Sequence, residues 1–477
     1  LPEKQQVAAL VWSPAHHGHA AFIGSPASGA GEGLELAVHK LMLSPIETHF
    51  YLLDSTGGFS QVARAARTGA HAGLHELRRG VRILERLARE LRQRLSSPAG
   101  SPTPLVLVIS GWGSWVSAFR SGPLAWAEDL VHDLVRDGAR AGITLLLSGE
   151  RELLMARFFG ALPNRFYFPA GSTEESRGMW PRLPSVPAVQ GRAAVFGPVS
   201  GGGPAACQFY RTSAPGIAGI PNNLPAASPP FRVEPLPATI TVRQVAALGE
   251  STRVGHVPEQ SSPSQDGVDG GQEGVDGGPR SALAGTAPSG SDRRRRGILL
   301  GVSGDEVAPL SFRLPRGGVM AILGSTGSGK TNALHALKAL NPELSWCTCP
   351  DPPDAAGSFW AGLLVQAEAG KMPRGSILIV DDVDLLTPPA VRDLGRLNAL
   401  GYPAVVTAAF SPALLQRVPL VMDSRASGIG LLLCPRSPAD GDLFGTRFEI
   451  EPNPTPGRGV LISGGRSCPL QVAWAGT

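Results

Sequence analysis

The chain has 477 residues, enough for two or three domains that each bury a core of their own. With 42% hydrophobic and 17% charged residues it is neither an acidic disordered tail nor a coiled coil. A net charge of +4, from 43 basic and 39 acidic residues, is too balanced to imply binding to nucleic acid or membrane through bulk electrostatics. Gly (60) and Pro (44) make up more than a fifth of the chain, which predicts that part of the length is linker.

The basic residues are nearly all Arg, and Lys occurs only at 4, 40, 330, 338 and 371. The five cysteines (207, 347, 349, 434, 468) are odd in number and share no repeated spacing. Cys347 and Cys349 lack the second pair that a zinc site needs, so the thiols fit a reducing compartment. His16, His17 and His19 have no carboxylate or thiol partner at ligand spacing and are expected in a strand-entry loop. No apolar run reaches the length of a membrane span, and the start, LPEKQQ, has no initiator Met and no signal-peptide pattern. A piece of a longer protein is one expectation.

Along the chain, HAAFIGSPASGAGEG (19–33) combines an apolar strand, a Gly-rich turn and a helix start. THFYLLD (48–54) is a further strand, and Leu74, Leu77, Val81, Leu84, Leu87, Leu91 and Leu95 recur at the three- and four-residue spacing of a packed helix face. PLVLVISGWGSW (104–115) is a buried strand ending in a short polar sequence, followed by GITLLLSG (142–149) and by VQGRAAVFG (189–197).

From about 215 to 296 the pattern breaks into Pro-rich and Gly/Ser-rich sequence that cannot bury enough surface to offset its ordering entropy. Residues 257–292 in particular are expected to be a flexible linker. Ala238–Leu248 is expected to be one strand or helix turn of the preceding domain, and the four arginines 293–296 a solvated flank.

Beyond the linker the same order returns: VMAILGSTGSGKTNA (319–333), SILIVDDVDLL (376–386), PAVVTAAF (403–410), GIGLLLC (428–434) and PGRGVLISG (456–464). Strands alternating with helices predict two α/β modules with mostly parallel sheets, related by duplication.

Gly324, Ser325, Thr326, Gly327, Ser328, Gly329, Lys330 and Thr331 satisfy G-x-x-x-x-G-K-[ST] between a strand and a helix, the context a phosphate loop requires. The glycines let successive backbone N–H groups face phosphates, Lys330 adds a point charge, and the Thr331 hydroxyl is a Mg²⁺ ligand. Asp381 ends a buried strand expected beside the phosphate-loop strand, where it would hold Mg²⁺ through water. Asp382 follows, at the position where many such enzymes carry Glu to orient the attacking water. It is one methylene shorter, about 1.5 Å of reach. Asp384 is expected to cap the next helix.

The earlier module keeps Gly24 and Gly29, but Ala30 stands at the Lys position, Gly31 at the Ser/Thr position, and Ser110-Gly111 where the strand would end in Asp. Glu32 adds a negative charge that the helix dipole favours and a phosphate would not. That module is expected to have the fold without the activity.

These residues resemble the FtsK/SpoIIIE-type P-loop ATPases, and within them the EccC ATPases of type VII secretion systems. Ile109-Ser110-Gly111-Trp112-Gly113 is similar to that family's I-D-G-W-G with the Asp replaced, and Val380 to Leu386 to the V-D-D-Y-D-L-L of its last module. Leu162-Pro163-Asn164-Arg165-Phe166 with Glu175-Ser176-Arg177 resembles the family's P-x-R-[IF] and S-R pairing.

The resemblance implies two RecA-like modules, 1–250 (degenerate) and 297–477 (intact), around a linker at 251–296, corresponding to the last two modules of the family. It implies ATP and Mg²⁺ as ligands, with Lys330, Asp381 and Asp382 in the chemistry and slow hydrolysis or an assembly switch in the second module. It further implies export of WXG-type helical-hairpin proteins, membrane secretion components as partners, hexameric rings, and a cytoplasmic location tethered to the membrane. A double-stranded DNA translocase and a non-hydrolysing ATP-dependent scaffold remain alternatives. Among the arginines, Arg192 and Arg458 hold equivalent places, and Arg157/Arg165 and Arg417/Arg425 share an eight-residue spacing. A common structural role is favoured over a finger donated to a neighbouring subunit.

Overall fold

The computed structural model describes residues 8–97, 102–211, 219–221, 225–254, 297–349, 356–411, 413–448 and 450–476. The chain divides into two compact units, Leu1–Pro235 and Leu236–Thr477.

The first unit is built on strands β1 (Ala20–Ile23), β2 (His49–Asp54), β3 (Thr68–Ala72), β4 (Leu105–Ser110), β5 (Ile143–Gly149), β6 (Asn164–Tyr167), β7 (Arg192–Phe196) and β8 (Ala205–Gln208). They form one sheet in the order β3-β2-β4-β5-β1-β6-β7-β8, parallel from β3 to β6 and antiparallel at β7 and β8. Apolar residues run continuously through β2, β4 and β5 because both faces of the sheet are covered.

Alternate residues of β1 serve opposite faces. Ala21 and Ile23 join the cluster under the helices Leu77–Ser96, Trp112–Arg120 and Ala127–Asp137, while Ala20 and Phe22 join the cluster under the helix Ala30–Met42. Along Leu77–Ser96 the stripe Val81, Leu84, Leu87 and Leu91 is buried as its spacing predicts, each side chain contributing roughly 1.5–3 kcal/mol relative to exposure. Leu95, at its end, is 39% exposed and outside that core.

The second unit contains β9 (Ile298–Ser303), β10 (Ala308–Phe312), β11 (Val319–Gly324), β12 (Trp346–Thr348), β13 (Ile377–Val380), β14 (Ala404–Ala408), β15 (Ile429–Leu433), β16 (Arg458–Ser463) and β17 (Arg466–Val472). Their order is β10-β9-β17-β16-β15-β11-β14-β13-β12. From β12 to β15 neighbours are parallel, and the remaining pairs are antiparallel.

The sequence of neighbours β2-β4-β5-β1-β6-β7-β8 in the first sheet therefore corresponds to β12-β13-β14-β11-β15-β16-β17 in the second. β3 extends the first sheet at one edge, and the β9-β10 hairpin extends the second at the other.

Two expectations about chain organisation are corrected. Ala238–Leu248 belongs to the second unit: Thr241 bridges Trp474, and Val245, fully buried, packs in the core that contains Leu334 and Leu337 of the phosphate-loop helix. The chain leaves the first unit at Pro235, and the helix Val242–Val254 precedes β9 within the second. The Gly/Ser-rich stretch thus interrupts the second unit in sequence and does not join the two. Residues 255–296, including the expected linker 257–292 and the arginines 293–296, lie outside the described residues. No helix of the described residues is long and apolar enough to cross a membrane.

Candidate functional site: a phosphate loop and its carboxylates

In the second unit, β11 delivers the chain into Gly324–Gly329, and the helix Lys330–Leu340 begins directly behind it. Gly329 holds φ 98°, and a Cβ there would meet the Gly457 nitrogen at 3.1 Å, so both the backbone angle and the close approach require glycine. The Gly457 N–H in turn donates to the Ser328 carbonyl at 2.9 Å and fixes the loop to the start of β16.

Lys330 extends back over the loop. Its Nζ donates to the Gly324 carbonyl at 3.2 Å and lies 3.5 Å from Asp382 Oδ1, with the side chain 12% exposed.

The carboxylate side is built by β13. Asp381 follows the last residue of that strand, and its two oxygens have separate partners. Thr331 Oγ1 donates to Oδ2 at 2.6 Å, and Thr407 Oγ1 donates to Oδ1 at 2.5 Å. The Thr407 hydroxyl also accepts the Asp382 N–H at 2.7 Å. Thr407 is fully buried on β14, opposite Ile322 of β11.

β14 lies between β11 and β13, which corrects the expectation that the Asp381 strand adjoins the phosphate-loop strand. The intervening strand explains why a third residue enters the site: a hydroxyl on β14 spans the gap between loop and carboxylate. Sequence reasoning missed Thr407 because only the strand order places it there.

Asp382 adopts φ 44° and ψ 59°, left-handed values that L-residues with a side chain seldom take. Its counterpart in the first unit, Gly111, has φ 68° and ψ 62°. The same turn is thus glycine in one unit and a carboxylate in the other. Asp384 does not cap the following helix, whose N-terminal flank is Thr387. It lies in the short 3₁₀ turn Val383–Leu385, with Oδ1 buried and without a hydrogen-bond partner among the described residues.

A hydroxyl and a carboxylate 2.6 Å apart, beside a loop of backbone N–H groups and a lysine, form a hard-oxygen donor set that fits Mg²⁺ carried with a nucleotide phosphate.

The first unit repeats the scaffold with different occupants. Gly191 N–H donates to the Ser28 carbonyl at 2.9 Å, as Gly457 does to Ser328, and the Gly111 N–H donates to Ser148 Oγ at 3.0 Å, as Asp382 does to Thr407. Ser148 faces Phe22 of β1 as Thr407 faces Ile322 of β11, so the two hydroxyls are register equivalents.

The charged atoms are absent, however. Ser110 Oγ, in the Asp381 position, meets Thr56 Oγ1 at 3.1 Å as its one hydrogen-bond partner among the described residues, and Thr56 donates to Asp54 Oδ1 at 3.1 Å. Asp54 is held far below the usual carboxylate range: burial alone would raise it, but His71 and the N–H groups of Phe59 and Thr56 outweigh that. Glu35 is shifted upward by burial and by repulsion from Glu32 and Asp54. In the first unit Ala30 thus stands at the position of Lys330, and the carboxylate of Asp54 reaches Ser110 through Thr56.

Other residues singled out in the sequence make packing contacts and hydrogen bonds away from the phosphate loop of the second unit. Trp112 is 1% exposed and packs edge-on against Phe158, with ring centroids 5.2 Å apart. Asn164, fully buried, donates to the carbonyls of His17 and His19 and accepts the Val199 N–H. Arg165 donates to the Leu162, Phe159 and Gly160 carbonyls and stacks over Phe159, and Arg177 donates to the Ser172 carbonyl.

The eight-residue spacing of Arg157/Arg165 and Arg417/Arg425 marks no equivalence, since Arg165 lies on a strand and Arg425 on the helix Leu420–Ser427. Arg157 pairs with Asp129 at the surface. His16 and His17 end a short helix, whereas His19 is buried. The described cysteines form no disulfide, and no cluster of metal-ligating side chains occurs among the described residues.

Comparison with protein-family models gives no match, and neither does comparison with curated proteins. Solved structures do match. EssC (ATPases 2 and 3) from Geobacillus thermodenitrificans aligns with 100% of this chain and 95% of its own, with a TM-score of 0.68 at 14% identity. Thermomonospora curvata EccC (ATPases 2 and 3), in complex with a signal sequence peptide, aligns with 96% of this chain and 88% of its own, with a TM-score of 0.58 at 17% identity. The cytoplasmic domain of the Thermomonospora curvata type VII secretion ATPase EccC gives the same score and identity over 98% of this chain and 58% of its own. The described residues of both units therefore have the fold of the paired ATPase domains of these proteins.

Proposed function

We propose that the second unit binds Mg-ATP and hydrolyses it slowly, that the first unit is a pseudo-ATPase, and that the chain is the motor part of a type VII-like protein secretion system. The observation that carries this reading is the convergence of Thr331, Asp381 and Thr407 opposite Lys330. The backbone N–H groups of Ser325–Thr331 and the helix start receive the phosphates, and Lys330 neutralises their charge. Thr331 and Asp381 would hold Mg²⁺, which supplies neutralisation of the phosphoryl oxygens when bound with nucleotide.

Asp382, whose Oδ1 lies 3.5 Å from Lys330 Nζ, would accept the proton of the attacking water once a phosphate takes over the Lys330 charge. Its short side chain and left-handed backbone support a slow rate. In the first unit, Ala30, Gly31 and Ser110 replace all three polar functions together. The secretion role rests on the fold and on the motif resemblance around Trp112 and Asp381. It brings with it an oligomeric ring, helical-hairpin substrates and attachment at the cytoplasmic side of a membrane.

ATP turnover of the wild type beside Lys330→Ala and Asp381→Ala tests the enzymatic part. Turnover in the wild type alone supports it. Equal turnover in all three, or none in the wild type despite binding, overturns hydrolysis at this site.

A further inference from the structure

The crossover between units is anchored on both sides of Pro235. On the first unit's side Val233 is fully buried. Its carbonyl accepts Arg79 Nε at 2.9 Å, the Glu234 carboxylate pairs with Arg79 Nη2 at 3.1 Å, and the Glu234 carbonyl accepts Arg82 Nη2 at 3.2 Å. In the second unit the Leu236 carbonyl accepts Arg458 Nη2 at 3.0 Å, the Ala238 carbonyl accepts Thr455 Oγ1 at 3.1 Å, and the Ile240 carbonyl accepts the Trp474 N–H at 2.6 Å.

Arg458 is therefore the first hold that the second unit has on the crossover. It also adjoins the phosphate loop: its neighbour Gly457 donates to Ser328, and its own carbonyl accepts the Cys434 N–H at 2.8 Å.

The guanidinium is unusual for its burial. Arg458 is 6% exposed, Nε lies 3.0 Å from Glu451 Oε2, and Nη1 has no acceptor among the described residues. The Glu451 carboxylate and the Leu236 carbonyl are its side-chain acceptors among the described residues, so a shift of the backbone beside it that lost either one would leave a buried cation short of acceptors, at a cost. The register-equivalent Arg192 is half-buried and donates to Gln208 Oε1 at 2.7 Å, within its own hairpin. The second unit has turned the same position towards the crossover.

We propose that Arg458 couples nucleotide occupancy of the phosphate loop to the anchoring of residues 236–254, so that bound nucleotide tightens the crossover and a loosened crossover weakens nucleotide binding. This rests on the reading that the second unit binds Mg-ATP. Helix Val242–Val254 shares a core with the phosphate-loop helix, and Asn332 of that helix holds the Ala473 carbonyl and the Ala475 N–H on either side of Trp474. Loop and crossover are thereby linked by a second route. Coupling of this kind is reciprocal: each site changes the other's free energy equally.

Hydrogen exchange of the full chain, with and without the magnesium complex of a non-hydrolysable ATP analogue, tests it. Titration of the same analogue is run in parallel. Nucleotide is expected to slow exchange across 236–248 by about 5-fold or more, the low end of measured couplings. Thr455→Val and Arg458→Gln are expected to reduce that protection and to weaken nucleotide binding in proportion. Thr455→Val leaves the guanidinium in place and removes one exposed hydrogen bond, so it decides the matter if Arg458→Gln melts early. Binding in the wild type with unchanged exchange at 236–248 overturns the coupling alone, as does unchanged affinity in Thr455→Val with the crossover loosened. Absence of binding in the wild type overturns the functional reading and the coupling with it.

Discussion

Replacing Thr407 with Val keeps the shape and β-branching that a buried strand position favours and removes one hydroxyl. That hydroxyl makes two bonds: it donates to Asp381 Oδ1 at 2.5 Å and accepts the Asp382 N–H at 2.7 Å. The first is charge-assisted, a class contributing about 1.5–3 kcal/mol, although Asp381 is exposed and water compensates part of its loss. The second leaves a backbone donor without its partner, at about 1–3 kcal/mol if water cannot reach it.

A stability loss of about 1–3 kcal/mol is therefore expected by urea denaturation. The functional effect is larger in proportion, because both carboxylates lose their common support. About 2 kcal/mol of lost positioning corresponds to roughly 30-fold in turnover. The control is Ser148→Ala, which removes only the Gly111 N–H bond in the first unit and is expected to leave turnover unchanged. Coupled-enzyme ATPase assays on the two variants decide it. Turnover of Thr407→Val within 2-fold of wild type, in a folded protein, would refute the assignment of Thr407 to the site.

Three further outcomes follow from local geometry. Asp382→Gly and Asp382→Ala are both expected to lose hydrolysis, but Gly suits φ 44° and Ala does not. Melting should therefore show the Gly variant to be the more stable by about 1 kcal/mol. Gly329→Ala, with φ 98° and its new methyl 3.1 Å from the Gly457 nitrogen, is expected to weaken nucleotide binding at least about 10-fold by titration, since strain of this kind costs about 1–3 kcal/mol.

His19 accepts the Leu145 N–H at Nδ1, so its Nε2–H donates to the Val135 carbonyl, and burial lowers its pKa to about 4 from 6.5. The unfolded chain then binds a proton that the folded one refuses. Stability contributed by neutral His19 is complete above pH 6.5 and falls as the pH drops towards 4, by about 3 kcal/mol in all. Urea denaturation at stepped pH should show this loss in the wild type and a shallower one in His19→Gln. Parallel slopes would contradict the assignment.

How much of this the sequence discloses differs from one residue to another. The phosphate loop is legible because its chemistry is contiguous: glycines, Lys330 and Thr331 stand in one run between a strand and a helix. Asp381 is legible as a carboxylate ending an apolar strand.

Thr407 is not, since PAVVTAAF carries no polar signature beyond one hydroxyl, and its role depends on β14 lying between β11 and β13, a matter of strand order. In the sequence Ala238–Leu248 groups with the first module because the low-complexity stretch that follows it looks like a boundary. The carbonyls of Leu236, Ala238 and Ile240 instead find their donors in Arg458, Thr455 and Trp474, more than two hundred residues on. Asp384 has the composition of a cap without its geometry, because the 3₁₀ turn Val383–Leu385 intervenes and the next helix starts after Thr387. Local motifs are legible in the sequence, and long-range hydrogen-bond partners are not.

On the proposed reading one chain offers one nucleotide site, in the second unit. Isothermal titration of the full chain with Mg-ATP measures this directly. A single site per chain is expected, abolished by Lys330→Ala and unaffected by Ser110→Ala. Two sites per chain, or a single site that survives Lys330→Ala, would contradict it.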